Sequence, residues 1–337
     1  MNKYFHLLNE KRNFSLDHLK NTAFLITGAT GLIGSIITRY LFFLNEHFEA
    51  NINLILLVRD IQKAQTLLPS SEKITYVVKN IESFNQQDIT QKIDYIIHCA
   101  APTKSKFFIQ SPVETLDTII SGTRNLLQVA TKLHPRKVIF LSSMEAYGIL
   151  NDIATEKNLG FINLLSERSS YSEGKRIAEL YCYSFYSEYK LPVIIARPAM
   201  CFGPGILLNE TRAYKAFIDQ AQHGNNIVLK SDGSTKLNYI STLDIINSIL
   251  VLLEKGKNGE IYNLNNSESG IYSILDMAEK IASIYNVNTC IKIDDNAGLA
   301  PNNTMILSNK KIQSLGVQDI YNIEETIKET IKYVENQ

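Results

Sequence analysis

The sequence predicts an α/β chain, a Rossmann-type doubly wound parallel sheet followed by a smaller C-terminal substrate domain. Three observations carry that expectation. Short strand-like runs, most of them wholly apolar as buried parallel strands require, recur at 23–27, 52–58, 74–78, 95–98, 137–141 and 193–198. Helical patterns stand between several of them, at 32–44, 113–132 and 175–189. Between the first strand and the first helix lies Gly28-Ala29-Thr30-Gly31-Leu32-Ile33-Gly34, the strand–turn–helix setting that a dinucleotide fingerprint needs. The expected organisation is an N-terminal extension at 1–20, a dinucleotide-binding domain at 21–198, and a mainly substrate-binding domain at 199–337. Some segments of the last return to the main sheet.

The extension reads as amphipathic, with Phe5, Leu8, Phe14 and Leu19 as anchors. In the glycine turn, Gly28, Gly31 and Gly34 permit a tight bend, close approach of backbone to a pyrophosphate, and close packing of helix on strand. Thr30, Leu32 and Ile33 belong to the same cradle, and the helix N-terminus behind them offers free N–H groups and a positive dipole end. A glycine-rich turn without a ligand is the plain alternative. The second strand ends at Arg59-Asp60. An acid there would bind a ribose diol and an arginine a 2′-phosphate, so NAD or NADP stays open, and Arg59 is equally readable as a solvated loop residue. Asn80 and Ile81 stand where an adenine edge could be read. Ala100 and Ala101, at the exit of the fourth strand, are small enough to let backbone approach the cofactor. His98 reads as a packed structural histidine.

The helix at 113–132 carries Leu116, Ile120, Leu126, Leu127 and Ala130 on one face. The strand after it opens into Ser142-Ser143-Met144-Glu145-Ala146-Tyr147-Gly148, and the C-terminal end of a central strand is where such sheets bind ligands. Ser143 could hydrogen-bond a substrate oxygen; Glu145 is a second acid or base, or a charge at a loop edge. Tyr171 and Lys175 share one helical face through their four-residue spacing. A tyrosine pKa of about 10 makes a poor base near neutrality, and a cation held beside it would draw that value down. A bare Tyr-x-x-x-Lys arises often by chance, so its surroundings decide its meaning. Beyond the strand at 193–198 and the turn at 202–205, segments 207–225, 233–242 and 269–303 read as loop-rich and suited to a substrate domain.

Composition narrows the function. The chain has 337 residues, 45% hydrophobic and 20% charged, with a formal net charge of zero and no basic stripe of the kind nucleic acid demands. Its four cysteines are scattered, without a Cys-x-x-Cys pair, which disfavours metal and disulfide readings and fits reduced thiols. Met1 to Lys20 is too polar for a signal peptide, and no apolar run is long enough to span a bilayer. The expectation is a cytoplasmic protein with a small-molecule substrate and neither nucleic acid nor membrane as partner.

With these pieces in order, residues 22–315 resemble the extended short-chain dehydrogenase/reductases, specifically the NAD-dependent epimerase/dehydratase group. The resemblance rests on 27–34, on 142–148, on Tyr171 to Lys175, and on Arg197-Pro198-Ala199-Met200-Cys201-Phe202-Gly203-Pro204. It implies Ser143, Tyr171 and Lys175 as the catalytic triad and Pro198 against the nicotinamide. Tyr171-Ser172-Glu173-Gly174-Lys175-Arg176-Ile177-Ala178-Glu179 is similar to the corresponding run of UDP-glucuronate decarboxylases, and the resemblance implies that Glu145 matches the catalytic glutamate of those decarboxylases and of 4,6-dehydratases. The implied substrate contacts are Thr103, Ser143, Met144, Met200 and Lys236. Met200 and Lys236 stand where the family usually has an asparagine and an arginine that hold a nucleotide diphosphate, Met144 replaces a serine or aspartate, and Ile119 replaces a common asparagine. A second family arginine, expected at 299–303, is missing. Lysine keeps the charge of arginine but not its bidentate geometry. The resemblance also implies a homodimer built through the helices at 113–132 and 175–189.

Three functions follow. One is a nucleotide-sugar decarboxylase, dehydratase or epimerase that keeps its NAD(P) and passes through a transient keto-sugar, with Tyr171 as acid and base. A second is an NADPH-dependent reductase of a ketose or nucleotide-linked ketose in surface-polysaccharide precursor synthesis, favoured by Arg59 and by the altered diphosphate residues. A third is a non-catalytic dinucleotide-binding protein, against which Ser143, Tyr171 and Lys175 speak.

Overall fold

The computed structural model describes residues 1–207, 210–267, 270–294 and 304–336. Its strands are β1 (Ala23–Thr27), β2 (Asn53–Val58), β3 (Ile74–Val78), β4 (Tyr95–His98), β5 (Lys137–Leu141), β6 (Val193–Pro198), β7 (Met200–Phe202), β8 (Ile227–Leu229), β9 (Lys236–Ser241), β10 (Ile261–Leu264), β11 (Ile271–Ser273) and β12 (Thr289–Ile291). The helices in the first half are α1 (Asn2–Lys11), α2 (Leu32–Phe48), α3 (Ile61–Leu67), α4 (Ser105–Gln110), α5 (Pro112–Leu116) and α6 (Gly122–Leu133). Those in the second half are α7 (Ser169–Tyr189), α8 (Ala213–Gln222), α9 (Thr242–Lys255), α10 (Ile274–Tyr285), α11 (Lys310–Gln313) and α12 (Ile323–Glu335).

Seven strands form one parallel sheet in the order β10-β6-β5-β4-β1-β2-β3, and the order reverses between β1 and β4, where Thr27 lies opposite His98. Helices cover both faces, which explains the continuous apolar runs. Ile26, Leu54, Leu56, Ile97, Ile139 and Ile194 point into a core shared with α2 and α9, while their neighbours Leu25, Ile55, Ile96, Val138 and Val193 point into a core shared with α6 and α7. The four anchors of the extension are buried in the first of these cores, with Phe5 edge-on to Tyr40 at 5.4 Å.

The segments read as loop-rich are more ordered than that reading. Residues 207–225 contain α8, 233–242 contain β9, and 269–303 contain β11, α10 and β12. β7, β9 and β11 form a small sheet, β8 pairs with β12, and α8, α10 and α12 pack around a third apolar cluster that includes Phe217, Ile227, Tyr239 and Ile281. Three-residue strands give no usable periodicity, and only the tertiary contact makes them strands. The helix expected at 113–132 is α5 and α6 joined by a π-helical turn, Asp117–Ser121. Among the described residues no helix is long and apolar enough to cross a membrane.

Candidate active site

The crevice begins at the turn between β1 and α2. Gly28 has φ +67°, and a Cβ there would lie 2.7 Å from the Cys99 carbonyl carbon and 2.8 Å from the Ala100 nitrogen, so β4's exit presses against the turn. A Cβ on Gly34 would run into the Gly28 carbonyl, which sets how closely α2 sits on the turn. Gly31 is the N-cap of α2 without a side-chain cap, leaving first-turn N–H groups for an anion. Thr30, Leu32 and Ile33 are half-buried beside it, as are Ala100 and Ala101 across the gap. These residues fit a dinucleotide at the point where the strand order reverses.

Further out, Arg59 is exposed at the end of β2, while Asp60 accepts a hydrogen bond from the Lys63 nitrogen (2.9 Å) as the N-cap of α3. Asn80 is exposed; Ile81 is buried against Gly122, and its carbonyl accepts from Asn125 Nδ2 at 2.7 Å. His98 is fully engaged, with Nδ1 2.7 Å from Thr27 Oγ1 and Nε2 3.1 Å from Thr123 Oγ1. Burial brings its pKa down to about 3, so it stays neutral.

The second wall is α7 against the ends of β5 and β6. Tyr171 lies in the first turn of α7 and Lys175 one turn on, both buried. Lys175 Nζ donates to the Leu141 carbonyl at 2.7 Å and lies 4.9 Å from the centre of the Phe140 ring and 5.9 Å from that of Tyr171. Burial lowers its pKa to about 8, against the raising effect of Cys99, Glu179 and Cys182. Phe108 of α4 stacks on Tyr171 with ring centres 4.4 Å apart and planes 9° apart.

Here the expectation that Lys175 draws the tyrosine down needs correction. Tyr171 is pushed up to about 12, first by burial and then by the charge of Glu145, while a hydrogen bond from Ser143 and the charges of Arg212 and Arg168 act the other way. The lysine reaches past the ring to a backbone carbonyl, and the apolar stack dominates. In this arrangement Tyr171 rests as a phenol.

Ser143 caps the short 3-10 turn Met144–Tyr147, its Oγ accepting from the Glu145 nitrogen at 3.1 Å. Glu145 faces Arg168, whose Nη2 donates to Oε1 at 2.9 Å and Oε2 at 3.1 Å; Ser172 Oγ adds a longer contact at 3.4 Å. The Arg168 guanidinium lies 5.7 Å from the centre of the Phe108 ring. Sequence reasoning missed both Arg168 and Phe108. Arg168 stands three residues before Tyr171, a spacing that one helical turn makes into proximity, whereas nothing local marks Phe108.

The implied substrate contacts are less concentrated. Met144 is buried, Met200 is half-buried opposite Tyr239, and Thr103 is exposed ahead of α4. Lys236 is exposed at the start of β9, its carbonyl accepting from the Met305 nitrogen at 2.9 Å. Ile119 packs beneath α7 at Gly174, and Pro198 is the buried last residue of β6, opposite Leu264. Positions 299–303 lie outside the described residues.

A family model described as the NAD dependent epimerase/dehydratase family matches residues 24–264. UDP-glucuronic acid decarboxylase 6 of Arabidopsis thaliana is 28% identical over 279 residues, 82% of this chain and 78% of that enzyme. Other decarboxylases of that name, from the same plant and from Danio rerio and Xenopus tropicalis, are matched over 49–62% of their own length. dTDP-D-glucose 4,6-dehydratase of Bos taurus is 28% identical over 250 residues, 72% of this chain and 68% of that enzyme. Among solved structures, UDP-glucuronic acid 4-epimerase from Bacillus cereus, in complex with UDP-glucuronic acid and NAD, shares the fold. Its TM-score is 0.79 at 20% identity, covering 94% of this chain and 99% of that one.

Proposed function

The chain belongs to the NAD dependent epimerase/dehydratase family, and from that premise we propose a redox-neutral nucleotide-sugar enzyme of the decarboxylase, dehydratase or epimerase type, working through a transient keto-sugar. Membership makes the protein an enzyme and NAD its cofactor. The observation that carries the finer reading is the presence of two proton-handling groups at one strand end. Tyr171 lies within hydrogen-bond reach of Ser143, and Glu145, two residues on, is held by Arg168. A simple reductase needs only the first. A carboxylate beside it suits proton transfer at a carbon next to a ketone, as elimination requires, or a changing charge as a carboxyl group leaves.

NAD, when bound, would supply a reversible hydride acceptor for the carbinol carbon of the sugar. The Gly28–Gly34 turn and the α2 N-terminus would hold its pyrophosphate, and Ala100, Ala101 and Pro198 would bound it. Tyr171 would exchange the hydroxyl proton through its phenolic oxygen and Ser143 would orient the same oxygen, while the Lys175 ammonium, 5.9 Å from the ring centre, would favour the phenolate against the burial that raises its pKa. Thr103, Met144, Met200 and Lys236 would line the sugar nucleotide. The decarboxylases among the relatives make UDP-glucuronate the first substrate to try. Exposed Ile177, Leu180 and Tyr183 on α7 and Val113 on α5 support a homodimer through these helices, and the free cysteines support a reducing, cytoplasmic setting.

Asp60's engagement in the α3 cap leaves Arg59 as the neighbouring charge, and this favours the NADPH-dependent reductase as the second reading. One measurement separates them: the nicotinamide released from freshly purified protein on denaturation, followed by turnover of UDP-glucuronate. Stoichiometric NAD and turnover without net NADH support the redox-neutral cycle. Protein that is empty and binds NADPH more tightly than NADH overturns it.

A further inference from the structure

One turn beyond Lys175, the same face of α7 carries a third charged residue. Glu179 is 6% exposed, and both its oxygens are engaged. Oε1 accepts from Ser142 Oγ at 2.5 Å and from Arg197 Nε at 2.8 Å, and Oε2 accepts from Arg197 Nη2 at 2.6 Å. Ser142 leads the segment that carries Ser143 and Glu145, and Arg197 precedes Pro198 on β6. The Arg197 guanidinium also lies 4.5 Å from the centre of the Tyr147 ring, whose hydroxyl donates to Asn263 Oδ1 on β10 at 2.6 Å. A single carboxylate thus joins the helix of the proton shuttle to the ends of β5 and β6.

An ion pair this deep seldom repays its desolvation in stability, and well-packed apolar side chains of similar volume often serve the fold as well. Its place therefore asks for another reason. Resting on the roles given above to Tyr171 and Lys175, we propose that Glu179 is a positioning residue: it clamps α7 against β5 and β6 and supplies the buried negative charge that the Lys175 ammonium needs.

The groups around Lys175 support this. Cys99, just beyond β4, and Cys182, on α7, also act on it, but burial pushes both thiols up, Cys99 to about 12, so both are neutral near pH 7. His98, also within its field, is neutral as well. Among the described residues that raise the lysine's proton affinity, Glu179 is the carboxylate. Without it, Lys175 would face a backbone carbonyl and two aromatic rings while paying its full desolvation.

The test is a heteronuclear NMR titration of the full chain with nitrogen-15-labelled lysine side chains, Lys175→Met assigning the signal. Wild-type Lys175 should titrate near 8, and Glu179→Gln should move it lower by about one pH unit or more. The alkaline limb of NAD reduction by UDP-glucuronate should move with it. Glu179→Gln leaves Arg197 unpaired in the core, so a second variant, Glu179→Met with Arg197→Met, removes both charges at similar volume. If Glu179 positions the shuttle, this variant folds, keeps the lowered titration, and loses at least about tenfold in kcat with KM little changed. Recovery of both the wild-type titration and the rate together with the fold would overturn the proposal and leave the pair as packing. The titration needs no substrate, so it stands apart from the acid/base reading, which Tyr171→Phe tests by itself.

Discussion

The two walls of the crevice are built by different means. On the β1–α2 wall the requirements fall on the main chain: a positive φ at Gly28, a contact too close for any Cβ at Gly34, and uncapped N–H groups at the start of α2. On the α7 wall they fall on side chains held by partners distant in the chain, namely buried Tyr171 under Phe108, buried Lys175 on a carbonyl, half-buried Glu145 on Arg168 and buried Glu179 on Arg197. A steric requirement permits almost one residue type. An electrostatic one can be met by partners from any distance along the chain. The first wall should therefore fail abruptly to a single methyl group, and the second in graded steps.

Gly28→Ala tests the abrupt case and has the largest expected effect. The new Cβ meets the backbone of Cys99 and Ala100, and φ +67° is strained for any β-carbon. We expect a loss on the order of 3 kcal/mol in unfolding free energy, together with loss of NAD retention. Denaturant melts and cofactor content check both. A variant that keeps wild-type stability and NAD would show the wall to be softer than its contacts imply.

The same contrast explains how much of the molecule was legible in the sequence. The main sheet could be read because each of its central strands is buried on both faces, so Phe24-Leu25-Ile26 and Val193-Ile194-Ile195 are apolar whichever way a residue points. The glycine turn could be read because its residues are adjacent in the chain. Tyr171 and Lys175 are one helical turn apart and were found; Glu179 is one further turn on, but its meaning depends on Arg197, eighteen residues away, and on Ser142, thirty-seven away. Phe108 is 63 positions from the ring it covers, and the burial of that ring reverses the direction that the lysine alone suggested. β7, β8 and β12 are too short to show a period.

On the α7 wall, Tyr171→Phe should lower turnover by about 10²–10⁴ while NAD stays bound, since it deletes the proton-transferring oxygen and keeps the stacked ring. Wild-type turnover in this variant would sink the acid/base assignment. Glu145→Gln should be selective: hydride transfer continues, and the rearrangement slows by about 10²-fold. Accumulated NADH, seen at its absorbance band, is the signature. Unchanged product formation would make Glu145 a loop charge and return weight to the reductase. The pH dependence follows from Lys175. Its pKa is depressed to about 8, so the cation is present below that value and fades as pH rises through it. The rate of NAD reduction should therefore fall above pH 8, and a limb that stays flat to pH 10 would remove Lys175 from the shuttle.

The smallest effect belongs at the rim of the first wall, where the comparison can be sharpened. Arg59 is exposed, and charge–charge contacts in water-rich surroundings are weak and screened by salt. With NAD as the cofactor, Arg59→Ala should change NAD retention by less than about threefold. Any affinity for NADP should fall more, because the guanidinium is the charge next to an aspartate engaged in capping α3. Competition between the two dinucleotides at low and high salt reads this directly. Should Arg59→Ala leave NADP binding untouched as well, Arg59 is a solvated loop residue and the reductase loses its main support. Should NADP binding fall steeply while NAD binding is poor in both proteins, side-chain electrostatics would govern the rim of the first wall too, and the division between the two walls would end at α2.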